Sequence, residues 1–296
     1  MKSWRLRPYR SVLADLSLVG ICVIWGTSFA IVKSVVGETN PATFIAARFT
    51  LAAILLGLIA SRRLHKLDRE LWKAGFVLAV PLMLGFLAQT YGLQGTTASK
   101  AGFITGMHVV FTPFLEQKFL RNRIMPYQMA GVGVAVAGLG LLTLDRLSPP
   151  TYGDLLVLAC AFCFAVHLVL LGHYSPAMDG LLLSVTQMVW AAVFSILVAG
   201  SDMVQVVQFD KDLILSVAYL GVMGTALAYL VQTTAQKYTP PTRAALILQT
   251  EPVFSSFFAR LWLDERFNIQ QSVGAILILA GILLCQAGDA RRSREV

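Results

Sequence analysis

Apolar residues run through this chain in blocks of about 20, separated by short polar or basic stretches, and that is the length a helix needs to cross a bilayer core. The blocks fall at 14–32, 41–60, 72–93, 97–120, 126–144, 153–171, 181–199, 213–235, 240–263 and 269–287. Lipid offers no partner for a backbone N–H or C=O, so runs of this kind fold as helices. The pattern predicts an all-α integral membrane protein with ten transmembrane helices.

The pattern is also duplicated. Sliding 89–142 onto 232–285 without a gap lays Gln89 on Gln232, Thr96 on Thr239, Lys100 on Arg243, Ala101 on Ala244, Phe111 on Phe254, Gly131 on Gly274 and Gly138 on Gly281. Roughly a quarter of the positions agree, against about one in ten from apolar composition alone. The first spans match as well, with Asp15-Leu16 on Asp154-Leu155, Trp25 on Phe164 and Ser28 on His167. The expected organisation is an N-terminal five-helix repeat (1–146), a proline-containing linker (147–152) and a C-terminal five-helix repeat (153–296). An odd number of spans turns the second repeat upside down relative to the first, the inverted arrangement found in many secondary transporters.

Composition narrows the class. The chain is 56% hydrophobic and 14% charged, where a soluble domain carries about 25% charged residues. The net charge of +8 does not form one basic face, so nucleic acid is not expected as a partner. About 17 of the 24 basic residues lie in 1–10, 61–73, 118–123, 237–243 and 291–294, which puts both termini in the cytoplasm by the positive-inside rule. The basic start resembles a signal peptide, but the apolar run after it is long and lacks a small-residue cleavage pattern, so it reads as the retained first span. Cys22, Cys160, Cys163 and Cys285 all fall inside spans and read as packing residues; no metal and no cofactor are expected.

Candidate chemistry lies in the polar residues that interrupt the spans. Glu251, within Leu248-Gln249-Thr250-Glu251-Pro252-Val253, lies near mid-span, where a carboxylate costs about 2.5–3.5 kcal/mol on insertion scales and should face protein or water. Its repeat mate is His108, with Thr105 and Thr112 on the same helical face. Glu251 reads as a proton acceptor or as counter-ion to a substrate amine, and His108 as a donor to substrate oxygen. The plainer alternative is that both satisfy neighbouring backbone or helices. Gln89 and Gln232 are repeat mates, and Thr225, Tyr229, Gln232 and Gln236 form a polar stripe that suits a cavity wall or an interhelical contact. Trp25 and Ser28 on the first span, with Phe86, Phe103, Phe164, His167 and Tyr229, could wall a substrate or simply pack. The expected substrate-binding set is Trp25, Ser28, Phe86, Gln89, Thr105, His108, His167, Tyr229, Gln232, Gln249 and Glu251. Arg48, about six residues into the second span, reads as an anion or carboxylate contact or, by preference, as a residue within snorkelling reach of the interface that bonds a helix end on the same side; Lys100 and Arg243 are expected to mark span boundaries, and the glycines of the fifth spans to allow close helix approach.

The stretches Ile24-Trp25-Gly26-Thr27-Ser28-Phe29, Ala47-Arg48-Phe49, Thr97-Ala98-Ser99-Lys100-Ala101-Gly102-Phe103 with Pro113, and Glu251-Pro252-Val253 running to Leu263-Asp264-Glu265-Arg266 resemble the EamA-type branch of the drug/metabolite transporter superfamily, including its YddG-like amino-acid exporters. The first copy has Leu120-Arg121-Asn122-Arg123 where the family often has an acid, so Glu265 reads as structural. The resemblance implies a ten-helix, multi-pass carrier in the bacterial inner membrane, with a cavity between the repeats; a monomer is expected. Its partners are a small-molecule substrate, the lipid bilayer and, if transport is coupled, protons. The expected function is export or facilitated movement of small amphipathic metabolites, amino acids above all. Alternatives are a nucleotide-sugar or multidrug carrier of the same superfamily, or a non-transporting membrane scaffold. An intramembrane enzyme is disfavoured, since neither G-x-S-x-G nor H-E-x-x-H occurs.

Overall fold

The structure, a computed structural model, describes residues 8–35, 39–143, 149–263 and 269–295. Part of the basic start, part of the expected linker and the Asp264-Glu265-Arg266 stretch lie outside the described residues. Among the described residues every regular element is helical: α1 (Pro8–Val35), α2 (Pro41–Ile59), α3 (Arg69–Gln94), α4 (Ala98–Gly106), α5 (His108–Leu120), α6 (Pro126–Thr143), α7 (Tyr152–Tyr174), α8 (Gly180–Ala199), α9 (Lys211–Gly221), α10 (Ala228–Ala235), α11 (Pro241–Leu248), α12 (Glu251–Leu263) and α13 (Ile269–Glu295), with short 3-10 connections. Seven helical segments are long and apolar enough to cross a bilayer: Arg10–Ser28, Pro41–Ile59, Arg69–Gln94, Tyr152–Ala177, Gly180–Gln208, Lys211–Ala235 and Ile269–Gly288; Pro126–Leu142 is a shorter apolar helix. Leu58, Leu197, Ile276 and Leu283 are among the large apolar side chains left on the outer surface, which suits a lipid environment.

The runs 97–120 and 240–263, read from the sequence as continuous spans, are each broken near the middle. The breaks fall at Met107 and at Gln249–Thr250, equivalent places in the duplication, so His108 and Glu251 each open the second half-helix. In the second copy the cause is Pro252: a proline disfavours helical backbone just before it and is tolerated in a helix's first turn. The first copy has Val109 there instead. His108 Nδ1 donates to Thr105 O at 2.9 Å, so the ring itself occupies a carbonyl at the break. A third irregularity lies between α9 and α10, where Val222–Leu227 form a π-helical turn and Thr225 Oγ1 donates to Leu220 O, five residues back, at 2.8 Å.

Helix packing repeats across the two copies. A Cβ on Gly131 would lie 2.7 Å from Gly281 O, and one on Gly138 would lie 2.6 Å from Gly274 O, so α6 and α13 touch backbone to backbone at both crossings. Because Gly131 corresponds to Gly274 and Gly138 to Gly281, exchanging the copies maps one contact onto the other, the signature of a self-complementary two-fold interface. The ion pairs follow the same rule. Asp15 of α1 pairs with Arg243 and accepts from Thr239 Oγ1 at 2.9 Å. Asp154 of α7 pairs with Lys100 Nζ at 2.6 Å and accepts from Thr96 Oγ1 at 2.6 Å. Each aspartate joins the first helix of one copy to the start of a broken helix in the other. Lys100 and Arg243, expected as boundary residues, stand in the first turns of α4 and α11 and do this work.

The two clusters lie at opposite ends of the bundle. The Asp15 end also holds Glu116, which caps α11 by accepting from Thr242 N at 2.8 Å and Thr242 Oγ1 at 2.6 Å. A carboxylate at a helix N-terminus meets unsatisfied N–H groups and the positive end of the dipole. At the Asp154 end, Thr151 and Asp154 form a capping box on α7. Lys100 Nζ there also donates to Pro149 O at 3.0 Å.

Candidate functional site

Between these ends, one cavity of about 90 Å³ is lined by Trp25, Ser28 and Val32 of α1, Arg48 of α2, Phe86, Gln89 and Leu93 of α3, Thr105 and His108 at the first helix break, Phe164, His167 and Leu168 of α7, Tyr229 and Gln232 of α10, and Leu248 and Glu251 at the second break. Ten of the eleven residues expected from the sequence therefore meet around one space. The eleventh, Gln249, turns instead to the other break, where its Nε2 donates to Gly106 O at 2.6 Å. Gly106 and Gln249 are repeat mates, so the two breaks are tied to each other at equivalent residues.

One wall of the cavity is aromatic. Tyr229 lies with its ring centroid 5.6 Å from Trp25, 6.2 Å from Phe86 and 5.9 Å from the His167 imidazole, and Phe86 meets Phe164 edge to face at 5.5 Å. Such contacts fix large apolar surfaces in place at little cost in side-chain freedom. Some of the polar groups are held as well. His167 Nε2 lies 3.1 Å from Gln187 Oε1, whose amide Nε2 donates to Thr233 Oγ1 at 2.9 Å. Gln89 Nε2 donates to Thr105 Oγ1 at 3.1 Å. Of the stripe on the eighth span, Tyr229 and Gln232 line the cavity, whereas Thr225 bonds Arg48 and Gln236 Nε2 donates to Leu168 O at 3.0 Å. Gly26 lets α12 come close to α1, since a Cβ there would lie 2.9 Å from Ser255 N. Phe103 packs beside an apolar core to which α1, α6, α11 and α13 contribute and is not part of the cavity lining.

Arg48 is the residue that sequence reasoning misplaced. It does not snorkel: it is 4% exposed and lines the cavity. Its Nε donates to Thr225 Oγ1, its Nη2 donates to Gly224 O at 3.1 Å, and its guanidinium lies 4.9 Å from the centre of the Phe86 ring. Gly224 O also accepts from Trp25 Nε1 at 2.9 Å. The acceptors come from the π-helical turn, and no sequence pattern announced that turn. Chemically, the described lining offers one fixed cation, one carboxylate, two imidazoles, two primary amides and an aromatic wall.

The EamA-like transporter family model matches the chain twice, over residues 12–144 and 151–286. Relatives are similar over nearly the whole length. An uncharacterised transporter of Archaeoglobus fulgidus is 31% identical, covering 93% of this chain and 86% of its own. A probable amino-acid metabolite efflux pump of Escherichia coli is 26% identical, covering 89% of this chain and 91% of its own, and a protein of the same description from Salmonella typhimurium is 25% identical over 93% and 96%. A solved crystal structure aligns over 95% of this chain and 98% of its own with a TM-score of 0.73 at 17% identity, a likeness of fold.

Proposed function

The chain belongs to the EamA-like transporter family, and from that premise we propose that it carries small amphipathic metabolites, amino acids foremost, across the bacterial inner membrane by alternating access. The ten crossings expected from the sequence are then the seven long apolar helices, α6, and the end-to-end pairs α4–α5 and α11–α12. The two inverted repeats are the two family matches, with both termini cytoplasmic. The isologous glycine contacts and the paired ion pairs at opposite ends support this reading, because both follow when two like units sit upside down to each other. Arg63 lies 3.5 Å from Asp179, so the connection after α7 stands beside the basic segment after α2, as a shared cytoplasmic side requires.

The observation that carries the proposal is the convergence of helices from both halves, including both mid-span breaks, on one polar and aromatic cavity. Broken helices whose half-helix ends face a central site are how secondary transporters bind substrate at membrane depth. The space of about 90 Å³ holds several waters, whereas small-molecule pockets run to about 300–1,000 Å³. Admission of a substrate then requires the halves to part at one end, breaking one aspartate cluster while the other holds. Amino acids are favoured over nucleotide sugars because, among the described residues, Arg48 is the only Lys or Arg lining the cavity, and a diphosphate calls for more positive charge.

Counterflow of labelled L-phenylalanine, L-leucine and L-threonine into proteoliposomes of the purified protein tests this. Saturable, competed uptake of at least one is expected. No uptake of any amino acid would remove the substrate class, and non-saturable flux would point to a channel.

A further inference from the structure

Resting on that functional reading, we propose that Arg48 is the anchor for the substrate's carboxylate, and that the cavity selects zwitterions by holding the acid end at Arg48 and the ammonium end at Glu251. Among the described residues the ion pairs are Arg63–Asp179, Lys73–Glu70, Lys100–Asp154 and Arg243–Asp15, and neither Arg48 nor Glu251 belongs to any of them. A guanidinium removed from water and given no counter-charge is strongly disfavoured, so a fold that keeps one has a use for it that the apo protein does not supply. A ligand carboxylate supplies the missing charge.

Arg48 is also built for such a ligand. Thr225 Oγ1 and Gly224 O take Nε and Nη2, and Phe86 lies against the guanidinium, which fixes the plane of the group before anything binds. Nη1 has no hydrogen-bond partner among the described residues, and the side chain lines the cavity. Gly224 is part of the construction, because a Cβ there would lie 3.3 Å from Nη2. Glu251 comes from α12 and Arg48 from α2, and the two do not pair with each other, so opposite charges stand apart on the same cavity. The aromatic wall of Trp25, Phe86, Phe164 and Tyr229 is left for the side chain. A free amine, an amide or a fatty acid satisfies one charge and leaves the other buried and unanswered, which is how polar sites reject analogues that lack a group.

The test measures counterflow and Kd with L-phenylalanine, L-phenylalaninamide and 3-phenylpropionate for the wild type, Arg48→Gln and Arg48→Lys. The wild type is expected to prefer the amino acid over both analogues by about tenfold or more, and Arg48→Gln to bring the acid-to-amide ratio within about twofold. Arg48→Lys keeps the charge but loses the planar fork, and an intermediate ratio is expected. This variant carries the test if Arg48→Gln does not fold. A wild type that takes acid and amide equally, or a glutamine variant that keeps the full preference, overturns the anchor and leaves the transporter standing. A wild type that takes no amino acid overturns the substrate class itself.

Discussion

The charges at the ends of the bundle and those at its centre live under different rules. At the ends, Asp15 faces Arg243 and Asp154 faces Lys100, with Thr239 and Thr96 adding hydroxyl donors to the two carboxylates. At the centre, Arg48 and Glu251 border one cavity and share in none of the ion pairs among the described residues. Burial alone does not separate the two groups: Arg48 and Asp154 are 4% and 6% exposed. Completeness does. A charge whose partner comes from the protein holds two helices together, and a charge left without one is set up for a partner that arrives from outside.

Charge reversal at an end should give the largest effect. Asp154→Lys sets two ammonium groups together where a pair that is mostly buried now stands, and breaking such a pair costs about 3–5 kcal/mol. The detergent-purified protein should show a Tm lower by several degrees, and the swapped pair Asp154→Lys with Lys100→Asp should recover more than half of the loss. If the single variant melts like the wild type, the end clusters hold nothing together and the contrast collapses.

At the centre the same kind of change should act on function while sparing the fold. Glu251→Gln keeps the shape and removes an acid that joins no ion pair among the described residues, so Tm should hold or rise. Substrate affinity should fall by about tenfold or more, the size of a lost hydrogen bond to a charged group. The pH dependence gives a second readout. With the carboxylate as counter-ion to an ammonium group, protonation discharges it, so wild-type affinity should weaken as the pH is lowered over the range assayed. The glutamine variant should be weak and flat over that range; a wild type that is already flat would remove Glu251 from this role.

The same contrast explains what the sequence could reveal. Helix positions follow from apolar run length, and most of the cavity lining follows from asking which polar residues stand where lipid forbids them, a question of local composition. The two-fold contacts were foreshadowed by the gap-free duplication and by Gly131, Gly138, Gly274 and Gly281. What stayed hidden depends on the partner. The depth of Arg48 in its span fits snorkelling and inward burial equally, and the choice between them was made by a π-helical turn some 175 residues away in sequence, opened at Gly224 and Thr225. Glu116 was passed over because an acid near the end of a run resembles a loop residue until α11 is seen starting against it. The break at Met107 has no proline to mark it, in contrast to its mate before Pro252.

The smallest effect is the most discriminating, because it reaches Arg48 without touching it. Thr225→Val is nearly isosteric and removes the hydroxyl that accepts from Arg48 Nε while donating to Leu220 O. Loss of a buried hydrogen bond costs about 1 kcal/mol. If that bond only braces the π-helical turn, Tm drops slightly and the preference for acid over amide stays where it was. If it holds the guanidinium in the plane a carboxylate needs, affinity for L-phenylalanine should weaken about fivefold, and the acid-to-amide ratio should fall with it while remaining above that of Arg48→Gln. A change in Tm without a change in that ratio would make Thr225 a structural residue and would weaken the case that Arg48 is preorganised for its ligand.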